Sequence, residues 1–116
     1  VHVHDAARAF AAVLEAPEKK VEHQIFNVGD NELNHQIKNV GRLVEDTIEG
    51  AEVQFVEHKE DERTYRVSFD KINHILGWET EYDIVDGVEE IKQWMEEKEI
   101  TEYSSDNFRN SEYPYL

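Results

Sequence analysis

Apolar residues recur along this chain in two rhythms, one of helical period and one of strand period. Ala7, Phe10, Ala11 and Leu14 fall three and four apart, which predicts a helix ending near Ala16, before Pro17. Asp5 is placed to cap its first turn, after a strand end at Val1-His2-Val3. Ile37, Val40, Val44 and Ile48 predict a second helix over 35–48, with Asn34 as its cap and Gly50 as its stop. Ile72, Ile75 and Leu76 predict a short third helix that Ser68 caps and Gly77 ends. Asp83 and Asp86 form an acidic capping box for a last helix carrying Ile84, Val88, Ile91, Trp94 and Met95 on one side. Between the helices, the apolar run 24–28 before Gly29 and the alternation over 51–57 (Val53, Phe55, Val56) read as strands. Strands alternating with helices predict an α/β fold. Residues 58–64 read as a charged loop, and 101–116 as a polar tail with no assignable element.

Composition narrows the partners. The chain has 116 residues, one domain or a piece of one, and starts at Val1 inside a strand-like alternation, so the expectation is a segment of something longer. Twelve Lys and Arg against 27 Asp and Glu leave a formal charge of −15, which argues against nucleic acid and anionic membrane surfaces, both of which are held by clustered cations. Cysteine is absent, which excludes disulfides, thiolate catalysis and Cys-based zinc sites. No apolar run approaches the ~20 residues of a membrane-spanning helix, and the lack of cysteine makes a reducing cytoplasm the simplest expectation.

Five short motifs stand in order: His2-Val3-x-Asp5, Phe26-Asn27-Val28-Gly29, Asp61-x-Arg63-x-Tyr65-x-Val67-x-Phe69-Asp70-Lys71-Ile72, Leu76-Gly77-Trp78 and Asp86-Gly87-Val88. In this order and spacing the chain, over residues 1–95, resembles the C-terminal third of extended short-chain dehydrogenase/reductases, in particular the NAD-dependent nucleotide-sugar epimerases and dehydratases. The resemblance implies the substrate-side part of a Rossmann-type fold without its dinucleotide-binding half, with residues 1–100 as substrate-binding segment and 101–116 as tail. It also implies a parent enzyme that transiently oxidises a sugar carbon with bound NAD, followed by epimerisation or loss of water. The dinucleotide-binding Gly-rich turn is not found: glycines 29, 41, 50, 77 and 87 are scattered. Nor does any of the five tyrosines have a lysine four residues later, the pair that moves the proton in that family. The segment alone is therefore expected to be inactive and to bind no NAD, which belongs to the full-length parent.

The resemblance places two residues of this segment at the substrate. Arg63 matches an Asp-x-Arg that meets the nucleotide diphosphate, and a guanidinium offers bidentate donors to phosphate oxygens. The middle residue is Glu62 where the family usually has Pro, which weakens the match; a solvated Arg63 paired with Glu60 or Asp61 is the structural alternative. Asn27 lies at a strand end near the sugar pocket and is the second candidate, unless Phe26-Asn27-Val28-Gly29 is only core strand and turn. Arg66 and Lys71 read as surface residues, and Trp78 and Trp94 as core aromatics. His2 and His4 would share one face of a strand, the start of a chelating pair, but a metal site also needs a third and fourth ligand, for which His23, His35 and His58 are the candidate histidines. The resemblance assigns His2 and Asp5 to the scaffold, and no metal is expected. Expected partners are the nucleotide sugar, through the parent, and a second copy or the missing N-terminal domain. The competing reading is a stand-alone acidic α/β module that binds another protein.

Overall fold

The computed structural model describes residues 1–55 and 65–101. These form five helices and one 3-10 turn: α1 (Val3–Glu15), α2 (Glu18–Val21), the turn Asn31–Leu33, α3 (Ile37–Thr47), α4 (Asp70–Leu76) and α5 (Ile84–Glu97). There is no strand among the described residues, so the α/β, Rossmann-type expectation is corrected to an all-helical arrangement. The cause is the absence of partners, since a strand exists only when its N–H and C=O groups meet those of a neighbour. Val3 is taken up by α1, and 24–28 and 51–55 run without a ladder alongside them. Residues 56 and 57 of the second expected strand lie outside the described residues.

Where a strand partner is missing, asparagine side chains take its place. The Val67 N–H donates to Asn34 Oδ1 at 3.1 Å, and the Val67 carbonyl accepts from Asn34 Nδ2 at 2.9 Å. Those are the two bonds a paired residue would have supplied. The Phe69 N–H donates to Asn31 Oδ1 at 3.1 Å, and the Ser68 carbonyl accepts from Asn27 Nδ2 at 3.2 Å. Asn34 is thus not the cap of α3: the N-cap is Gln36, which makes no side-chain capping bond.

The helix ends follow local chemistry more closely. Asp83 accepts from the Asp86 N–H at 3.0 Å while Asp86 accepts from the Asp83 N–H at 2.8 Å, the reciprocal capping box of α5. Gly77 ends α4 in the left-handed conformation (φ +64°), and its N–H donates to the Asn73 carbonyl at 2.7 Å. Ser68 acts one residue outside the cap of α4, which is Phe69; its hydroxyl donates to Asp70 at 2.8 Å and accepts the Asp70 N–H at 3.3 Å. α1 starts earlier than Asp5, capped by His2, whose Nδ1 accepts the His4 N–H at 3.3 Å.

The core is small. Ala9 of α1, Ile72 of α4 and Trp78 are buried, with Ala12, Phe26, Val28 and Leu76 packed around them. α3 lies against α5. Trp94, expected in the core, is 45 % exposed, and Ile91 also faces outward. α1 is apolar on both sides: Asp5, Ala9 and Ala12 turn inward, while Val3, Ala7, Phe10, Ala11 and Leu14 stay exposed.

Candidate functional site

The most highly organised side-chain cluster centres on Asp5, which is fully buried. α1 turns Asp5 inward toward the segment after Trp78. One of its oxygens accepts the Glu81 N–H at 3.0 Å and Arg8 Nη1 at 2.6 Å; the other accepts the Tyr82 N–H at 3.1 Å. Arg8, one turn along α1, also donates to the Glu79 carbonyl at 3.2 Å and pairs with the Glu81 carboxylate at 2.6 Å. Its guanidinium lies 6.0 Å from the centre of the Trp78 ring. Burial alone pushes the Asp5 carboxyl up, but the two backbone N–H groups and Arg8 outweigh it and hold the group below its ordinary 3.8. A buried carboxylate that already holds three donors is a clamp for the 79–82 segment rather than a base for a substrate.

The second cluster lines a polar cleft of about 240 Å³ beside Gly29. Asp30, Asn31, Asp70, Asn73 and His74 face it, with Phe69 and Trp78 as its apolar wall. The Asp70 carboxylate accepts from the Ser68 hydroxyl at 2.8 Å and from Asn31 Nδ2 at 2.6 Å, and these bonds lower its pKa. Gly29 is required here. Its φ is +151°, and a Cβ on it would stand 2.7 Å from Phe69 Cε1. Lys71, at the surface, donates to the Ile25 carbonyl at 2.8 Å and sits 5.1 Å from the centre of the Phe26 ring.

A third cluster joins the start of α1 to α5. The His2 ring stacks on Tyr82 with centroids 4.4 Å apart and planes at 19°, and its Nε2 is 3.0 Å from Glu90 Oε2. The His4 ring meets Tyr82 edge-on at 5.6 Å.

Compared with protein-family models, with curated proteins and with solved structures, the chain matches none of them.

Of the residues singled out by sequence, Asn27 is exposed and its amide donates to Ser68, a bond within the scaffold. Arg63 and His58 lie outside the described residues. Arg66 is exposed, as the surface assignment requires. Sequence reasoning missed Arg8 as the partner of Asp5, although their spacing of three on a helix was a usable signal. It also missed the Asn31–Asp70 pair, which joins positions 39 apart and left no local trace.

Proposed function

We propose that this chain is the substrate-side part of an NAD-dependent nucleotide-sugar epimerase or dehydratase of the cytoplasm, inactive alone. NAD and the catalytic Tyr/Lys pair are held by other residues of the parent. The observation that supports this most is the mutual packing of the ordered motifs. Gly29 of Phe26-Asn27-Val28-Gly29 lies against the Phe69 ring, and Asn27 bonds Ser68. Phe26 and Val28 pack on the same core as Ile72 and Trp78. Motifs spread over fifty residues thus serve one another, and Asp5 of the first motif fastens the segment that follows the fourth. Arg63 is assigned to the nucleotide diphosphate and Asn27 to the edge of the sugar pocket. In the intact enzyme, Arg63→Ala is expected to weaken nucleotide-sugar binding by about 1.5–3 kcal/mol, roughly ten- to a hundredfold, while leaving NAD affinity unchanged. Titration calorimetry with each ligand decides it: equal losses, or none for the sugar nucleotide, return Arg63 to the solvated loop.

The exposed α1 stripe favours a second reading, an acidic module that works by binding another protein. A Gly-rich turn and a Tyr-x-x-x-Lys pair in the parent's remaining sequence would exclude it. Either reading covers α1, by the rest of the parent enzyme or, for the chain alone, by a second copy. Burying Val3, Phe10 and Leu14 at about 1.5–3 kcal/mol each outweighs screened repulsion between chains of charge −15. The isolated chain is therefore expected to self-associate more strongly as salt rises. Sedimentation as a compact monomer at both low and high salt would count against this.

A further inference from the structure

We propose that His2, His4 and Glu90 form a binding site for one borderline divalent transition ion, Zn²⁺ foremost. The sequence offered two imidazoles and no third ligand; the fold supplies it from α5. One ligand atom from each of the three residues lies within 4.8 Å of the others. Around a tetrahedral ion with bonds of about 2.0–2.1 Å, ligand atoms stand closer than that. The contraction falls on His4 and Glu90, which are exposed and able to turn, whereas His2 is held by its stack on Tyr82. The donor set decides the class of ion. Two imidazoles and a carboxylate suit Zn²⁺, Ni²⁺ or Cu²⁺, while Mg²⁺ and Ca²⁺ prefer oxygen throughout. Three protein ligands leave a fourth position for water or an anion. The surrounding excess of carboxylates raises the local concentration of any divalent cation.

The hydrogen bonds define what the ion displaces. His2 Nδ1 accepts the His4 N–H at 3.3 Å, so the neutral ring carries its proton on Nε2, facing Glu90 at 3.0 Å. An ion at Nε2 takes the place of that proton, which relocates through solvent to Nδ1 and ends the capping bond. The His4 amide should therefore exchange faster with solvent when metal is bound, the reverse of the general tightening that non-specific binding gives.

The test is titration of the full chain with ZnCl₂, with His4→Ala and Glu90→Gln as variants, because neither residue supports the core. His2 is left intact since it also caps α1. Loss of an outer-shell partner already costs about 10–100-fold in metal affinity, so each variant should bind at least about tenfold more weakly. His23→Ala and His35→Ala should bind as the parent does. Cu²⁺ bound in place of Zn²⁺ should show hyperfine coupling to two nitrogens. The proposal is overturned by unchanged affinity in both ligand variants, by loss of binding in His23→Ala or His35→Ala, by a copper spectrum without two nitrogens, or by no saturation up to about 1 mM metal.

Discussion

Replacing Asp5 with alanine is expected to destabilise the fold by about 2–4 kcal/mol, chiefly because two backbone N–H groups lose their acceptor at about 1–3 kcal/mol each, while the half-exposed Arg8 keeps its Glu81 partner. The loss is large because three donors are affected together. The N–H groups of Glu81 and Tyr82 lose their acceptor, Arg8 loses one of its two 2.6 Å carboxylate contacts, and the space of a fully buried side chain is left unfilled. Asp5→Asn preserves the shape but turns an amide NH₂ toward a donor, and about half the effect should remain. The acid dependence follows with a definite sign. The folded carboxyl titrates below its ordinary 3.8, so the unfolded chain binds the proton first as pH falls. The stabilisation is complete above the unfolded value and is lost as pH drops through the depressed folded one. Urea unfolding at pH 7 and in the acid range below 3.8 measures both parts. An Asp5→Ala chain that keeps the full acid sensitivity, or loses under 1 kcal/mol at neutral pH, would show that the clamp is ornamental.

Gly29→Ala should cost roughly 2–5 kcal/mol, from two separable sources. A side chain at φ +151° is strained whatever surrounds it, and here the new Cβ would also meet the Phe69 ring at 2.7–2.8 Å. Adding Phe69→Leu to Gly29→Ala removes the collision and leaves the backbone strain. A double-mutant cycle should therefore give a coupling of about 0.5–3 kcal/mol, with the double variant more stable than the two single losses predict. Additive losses would mean that the ring simply moves aside.

What the sequence made legible was chemistry that acts within one turn. The Asp83–Asp86 box and the Gly77 stop depend on residues three or four positions apart, and both stand where the pattern put them. The burial of Trp78 was legible as well. The strands were not, because apolar alternation says that a segment can pair and not that a partner exists. Asn34 shows the same limit: as a local signal it is a cap, yet it bonds Val67, 33 residues away. Asp5 was read as a cap for the same reason, when its acceptors are committed to peptide groups 76 and 77 residues further on. Of the candidate site, Asn27 could be placed in the scaffold, whereas the contacts that shape the polar cleft are long-range and have no sequence signature.

The 76- and 77-residue separations spanned by the Asp5 bonds have a consequence for how the protein is made. On a ribosome adding about 5–20 residues per second, the Asp5 carboxylate emerges roughly 4–15 s before the peptide units it will hold. During that interval α1 is a helix-forming stretch with apolar residues on both sides and a carboxylate that has Arg8 beside it but not yet the two peptide N–H groups it will hold. The finished fold covers the inner side and neutralises the acid, so the form of this chain most in need of a chaperone is one that ends before Tyr82.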